Sequence, residues 1–188
     1  MARISLDPPR TLVFRLLESY SRRVYGEVLE PGKALAHNSR LTVSYLRFER
    51  RVARFNKLDP VLKELAVMVA AARIGCSWCM DFGYWEAHQL GIRADKLRAV
   101  PVWRENQELY TEPELAVMEY AEAMCATEPV VTDEMSADLI KMLGEAAFVE
   151  LTFMVGLENL RSRVNSALGL RSQGFSDRCA APAIPSRR

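Results

Sequence analysis

Two thiols and one carboxylate carry the chemistry this sequence offers. Cys76-Ser77-Trp78-Cys79 sits where a new helix should begin, and Glu64 lies twelve residues upstream. Thiols three residues apart on a first helical turn face the same way and can close a disulfide. The free N–H groups of that turn and the helix dipole favour a thiolate there. By itself such a pair reads as a redox couple, half of a zinc site, or two small buried hydrophobes. Zinc needs two further ligands, and the chain places none well. Cys125 and Cys179 are isolated, and His37 falls in a loop. His88 comes nine residues after Cys79, roughly on the opposite side of a helix and about 13 Å further along. The helix-start position therefore favours the redox couple.

Glu64 falls in a first helical turn, where a carboxylate suits the dipole. A carboxylate returned to the cysteine pair by the chain could also move a proton to or from a thiol, if within hydrogen-bond reach directly or through a water. Gly83 follows Cys79 by one turn on the same face. Glycine in a helix costs about 1 kcal/mol relative to alanine, so it marks close packing or an open space beside the sulfur. Phe82, Tyr84 and Trp85 around it read as core packing. Asn159 and Arg163, one turn apart on a helix shared with Glu150 and Glu158, fit either a surface stripe or a buried polar cluster.

The elements that must position these groups are helical throughout. Asp7-Pro8-Pro9 precedes an amphipathic segment over 10–25, with Leu12, Val13, Leu16, Leu17 and Tyr20 at helical spacing. Pro31-Gly32 opens a loop, and a second helix is expected over 39–55. Asp59-Pro60 is a helix start, with aspartate as N-cap and proline at the first position. That helix runs to residue 74 with an unbroken apolar stretch from Leu65 to Ala72, so it should be buried on most sides. Gly75 ends it and the cysteine pair opens the next, which stops at Gly91. A short helix follows over 92–97, then a connector over 101–110 anchored by Val102 and Trp103. Thr111-Glu112-Pro113-Glu114 is a capping box for a helix to 126. Thr132 caps another to 143, and the last helix covers 145–168.

Composition sets the outer bounds. The 188 residues are 49% hydrophobic with a formal net charge of +1. One all-α domain over residues 1–170, with a flexible Ser/Arg/Pro/Ala tail over 171–188, accounts for them. The near-neutral balance argues against nucleic acid and against anionic membrane surfaces as partners. No apolar run reaches the roughly 20 residues of a membrane span, and residues 1–9 lack the apolar core of a signal peptide. A cytoplasmic location is expected, where four cysteines read as redox or free thiols rather than a disulfide framework.

Glu64, eleven intervening residues, then Cys76-Ser77-Trp78-Cys79 resembles the signature of the alkylhydroperoxidase D-like, or carboxymuconolactone decarboxylase, superfamily. Thr111-Glu112-Pro113-Glu114, Val131-Thr132-Asp133-Glu134, Glu150-Leu151, and Asn159 and Arg163 before Ala167-Leu168-Gly169 are similar to that family's second half. The resemblance implies an all-α fold of seven to eight helices, and homo-oligomers, often trimers or hexamers. Its redox members are thiol-dependent peroxidases. By that resemblance Cys79 attacks a hydroperoxide, Cys76 resolves the product to a disulfide, and Glu64 belongs to the proton relay. An external dithiol or thiol then regenerates the pair, with no metal or flavin cofactor. Redox members usually carry histidine four residues after the second cysteine, and some carry one between the cysteines. This chain has Gly83 and Trp78 there, so Glu64 through water, or a group from elsewhere such as Asp81, must take over that part, or peroxidase activity is weak. The lactone decarboxylases lack the cysteine pair, so their activity is not expected. The alternatives are a disulfide reductase without peroxidase activity and a non-catalytic oligomeric module that binds a ligand or partner.

Overall fold

The computed structural model describes residues 2–179. It is all-α: among the described residues there are nine α-helices, short 3₁₀ turns and no strands. The helices are α1 (Leu12–Tyr25), α2 (Glu30–Leu35), α3 (Ser39–Val52), α4 (Pro60–Ile74), α5 (Ser77–Gln89), α6 (Ala94–Ala99), α7 (Glu112–Met124), α8 (Asp133–Leu143) and α9 (Glu145–Ala167). They fall into two compact units. Among the described residues one comprises 2–56 with Val164–Arg171, and the other Lys57–Arg163 with 172–179.

In the first unit, Thr11 caps α1 by accepting from the Phe14 amide at 3.1 Å. Phe14, Val28 and Ala36 form a small core with Leu17 against it. The opposite stripe of α1, Leu12, Leu16 and Tyr20, is exposed. Pro31-Gly32, expected in a loop, starts the short helix α2 instead. Proline there lies in the first turn, where its missing N–H is not needed. The Arg3 guanidinium donates to the Ser166 and Ala167 carbonyls and closes the end of α9.

The second unit is built around α4. The Asp59 carboxylate accepts from the Val61 and Leu62 amides at 2.8 and 3.2 Å, with Pro60 at the first helical position. Leu65, Ala66, Met68, Val69, Ala70 and Ala71 are all buried. The alanines let α5 and α7 pack closely on α4, while Leu65 and Val69 join Val117, Met118, Leu151 and Val155 in the core. Each such aliphatic side chain stabilises the fold by about 1.5–3 kcal/mol through burial. The capping box of α7 forms as its sequence requires. The Thr111 amide donates to Glu114 at 2.6 Å, and Glu114 also takes the Lys96 ammonium. The connector over 101–110 folds into two 3₁₀ turns in which Trp103 is buried and Val102 exposed.

Within the segment whose composition suggested a tail, Ser172–Cys179 includes a 3₁₀ turn over Ser176–Arg178 and docks on α5. Residues 180–188 lie outside the described residues.

Candidate functional site

The cysteine pair occupies the junction that the local sequence dictates. Gly75 closes α4 at φ +79°, a left-handed conformation that side-chain-bearing residues resist. The chain then turns directly into α5. Cys76 is the N-cap residue of α5, and its sulfur accepts from the Cys79 amide at 3.2 Å. The two cysteines are joined as a disulfide with their Cα atoms 5.3 Å apart. Cys76 is 1% exposed and Cys79 8%, so little of the pair meets solvent, and Cys79 is the more exposed of the two.

Glu64 stands in the first half of α4 and faces α5. A Cβ placed on Gly83 would lie 3.4 Å from Glu64 Oε1 and 3.4 Å from Met68 Cγ. A methyl group at position 83 would therefore fit at ordinary contact distance, while Glu64 and Met68 take the room that a larger side chain would need. Glu64 Oε1 is shut off from solvent and has no hydrogen-bond partner. Burial pushes the Glu64 pKa up to about 8, with further contributions from the negative charges of Glu86 on α5 and Glu158 on α9. An isolated buried carboxylate is costly, so the group keeps its proton instead. A carboxyl group titrating near the ordinary thiol range is well matched to exchange a proton with a cysteine.

Asp81 takes a different part from the relay role considered for it. Its carboxylate accepts from the Gln173, Phe175 and Ser176 amides at 2.9, 3.0 and 2.8 Å and from the Ser176 hydroxyl at 2.7 Å. Burial alone would raise its pKa, but the bonds from Ser176, Phe175 and Ser172 outweigh that and hold it below the usual aspartate value. It is therefore an anchored carboxylate with its lone pairs engaged. Trp78, between the two cysteines, donates its indole N–H to Gln173 Oε1 at 2.8 Å.

The remaining candidates separate cleanly. His88 is exposed near the end of α5, and His37 contacts the Ser5 carbonyl. No cluster of three or more His, Cys, Asp or Glu suited to a metal ion occurs among the described residues. Of the polar residues on α9, Glu150, Glu158 and Ser162 are buried, and the Ser162 hydroxyl donates to Glu158 at 2.6 Å. Asn159 donates to the Val155 carbonyl and the Cys125 sulfur, whereas Arg163 is exposed. The polar residues of α9 are thus mostly buried in separate bonded pairs, Glu150 with Lys63 and Glu158 with Ser162, and Arg163 is exposed. Sequence reasoning missed two things here. One is Glu86, seven residues after Cys79 and three after Gly83, a helical spacing that was available as a signal. The other is the segment over 172–179, whose signal was a lone Phe175 amid polar residues.

The sequence model of the carboxymuconolactone decarboxylase family matches residues 44–123, which include Glu64, both cysteines and Gly83. The uncharacterized protein YnjA of Escherichia coli strain K12 is 33% identical over 170 residues, covering 87% of this chain and 90% of that one. Among solved structures, the alkylhydroperoxidase AhpD core of a peroxidase-related protein from Ralstonia eutropha JMP134 superposes with a TM-score of 0.81 at 14% identity, covering 94% of this chain and 97% of that one. A peroxidase-related protein from Silicibacter sp. TM1040 gives 0.80 at 13% identity, with 93% and 92% covered. The debrominase Bmp8, in complex with 2,3,4-tribromopyrrole, gives 0.78 at 16% identity, with 95% and 97% covered. At these identities the solved structures establish a shared fold.

Proposed function

The chain belongs to the carboxymuconolactone decarboxylase family, and from that premise we infer that it is a dithiol oxidoreductase that reduces hydroperoxides through Cys79 and Cys76, with Glu64 as proton carrier. The observation that carries the reading is the cysteine pair at the start of α5 with the Glu64 carboxyl group, its Oε1 shut off from solvent, beside the same face one turn along. In the dithiol state the Cys79 thiolate attacks one peroxide oxygen. The O–O bond breaks, Cys79 becomes a sulfenic acid, and the departing alkoxide takes a proton to become an alcohol. Glu64, protonated below about pH 8, is the group suited to exchange protons there. The Cys76 thiol then displaces water from the sulfenic sulfur and closes the disulfide. An external dithiol returns two electrons and two protons and leaves as its own disulfide.

A second reading is favoured by Gly83. The space beside Cys79 that holds histidine in redox relatives is bordered here by Glu64 and Met68, which suits a disulfide reductase without peroxidase activity. Peroxide consumption with a dithiol donor tests the first reading. Wild type should turn over, Cys79→Ser should not, and Cys76→Ser should stop after one turnover with a trappable sulfenic acid. Equal consumption by wild type and Cys79→Ser would overturn it. Reduction of a small disulfide without peroxide turnover would establish the second.

The reading includes self-association, because Leu12, Leu16 and Tyr20 on α1 and Val149, Phe153 and Leu160 on α9 stand exposed at helical spacing. Stripes of this kind mark surfaces covered by another chain, here a second copy in a trimer or hexamer. No helix among the described residues is long and apolar enough to cross a membrane. A reducing cytoplasm would keep the working thiols available.

A further inference from the structure

Helix α5 has two working faces. Cys79, Gly83 and Glu86 lie along the first, toward Glu64. Trp78, Asp81, Phe82 and Trp85 recur at the i, i+3, i+4, i+7 spacing of the second, and residues 172–179 lie across it. The contact is a built one. Three main-chain amides and the hydroxyls of Ser176 and Ser172 in this segment converge on Asp81, which is 6% exposed. Phe175 is fully buried, with its ring 5.2 Å from Phe82 and 5.8 Å from Trp85. Trp78 stacks on Phe82 at 4.9 Å and is tied to Gln173 through its indole N–H.

We propose that residues 172–179 are a strap that governs how readily the Cys76–Cys79 disulfide opens, with Asp81 as its latch and Trp78 as the side chain it immobilises. The inference rests on reading the pair as redox-active, whatever its oxidant. A thiolate must approach a disulfide sulfur along the S–S axis. Both cysteines are nearly buried, so that approach requires the first turn of α5 to loosen. One side of the turn is packed against the central helix α4, which opens only with the core. The other side is held by a short irregular segment, whose release exposes one phenylalanine and frees one carboxylate. Local opening takes the less costly route. Trp78 lies between the cysteines in the chain, so releasing Gln173 from its indole frees the residue that links them. Asp81 acts on the sulfurs through the strap and is a positioning residue.

The test is reduction of the preformed disulfide by dithiothreitol in wild type, Asp81→Asn and Gln173→Ala. Each reductant molecule gives up two electrons and two protons, the S–S bond breaks to two thiols, and the product is the cyclic disulfide of the reductant. Progress is read by alkylation and mass, alongside amide hydrogen exchange of Gln173, Phe175 and Ser176. Asp81→Asn should raise exchange at all three amides and speed reduction about tenfold, the factor that loss of one charge-assisted hydrogen bond carries. Gln173→Ala should speed reduction while Phe175 and Ser176 stay protected, a separation that a purely structural role would not produce. Faster exchange in Asp81→Asn with an unchanged reduction rate would overturn the proposal, as would unchanged exchange. Should Asp81→Asn fail to fold, an unchanged rate in Gln173→Ala overturns it alone. The assay contains no peroxide, so a lack of peroxidase activity leaves it intact. A wild type that shows no two-electron disulfide cycle refutes the redox reading itself.

Discussion

Replacing Glu64 by glutamine should flatten the pH dependence of stability between pH 5 and 9. In the unfolded chain this carboxyl titrates at its ordinary value of 4.5, and in the fold burial moves it to about 8. Between those values the native state binds a proton that the unfolded state does not, so stability falls as pH rises through the window. At about 1.4 kcal/mol for each pH unit of difference, the loss amounts to several kcal/mol by pH 9. Glutamine has the same shape and is neutral throughout. At pH 5 variant and wild type should be about equally stable, and at pH 9 the variant should be more stable. The charged neighbours that act on Glu64 are Glu86 from α5, Glu158 and Arg161 from α9, and Lys63 beside it on α4. Asp81, Glu114 and Glu150 are held below their ordinary values by their hydrogen-bond donors despite burial, so they titrate below the window. Urea unfolding followed by circular dichroism at fixed pH, without reductant, measures the difference. Parallel curves for the two proteins from pH 5 to 9 would refute the reasoning that Glu64 is neutral in the fold.

The acid limb should have the opposite sign. Stability held by the ionised Asp81, Glu114 and Glu150 is present above about pH 4–5 and is lost as pH falls through their lowered values, so midpoint temperatures should drop steeply toward pH 2. Gly83→Ala should raise stability by up to about 1 kcal/mol, since its methyl meets Glu64 and Met68 at ordinary contact distance and helix propensity improves. Gly83→His should instead overpack the α4–α5 contact and cost about 1–3 kcal/mol, read as a lower melting temperature. His88→Ala should leave thiol reactivity toward an alkylating probe unchanged, because His88 is exposed near the far end of α5. Wild type should scatter light as a multiple of 21.3 kDa, and Leu12→Glu with Leu16→Glu should lower that mass, whereas a wild-type monomer at micromolar concentration would remove the case for self-association.

Much of this protein was legible in the chain because the deciding interactions are local. Asp59-Pro60 starts α4, Gly75 ends it, and Cys76 caps α5, each through bonds to residues within four positions. The capping box at Thr111 and Glu114 obeys the same logic. The all-helical class follows from apolar spacing, and the three-residue spacing at a helix start is what lets the thiol pair close a disulfide. Tertiary structure decided what those residues meet. Whether Gly83 marked a vacancy or a close approach depended on where α4 sets Glu64, and only that juxtaposition deprives the carboxyl of water and raises its pKa. The exposed stripe on α1 was visible as apolar periodicity, but the face its own unit buries is Phe14 and Leu17 rather than Leu12 and Leu16. The strap shows the limit most plainly. Composition assigns 171–188 to a tail, since a short polar segment buries too little apolar surface to order itself. Residues 172–179 are ordered by Asp81, 92 to 95 positions earlier in the chain, and a bond across that distance exists only once α5 has been placed by its packing on α4.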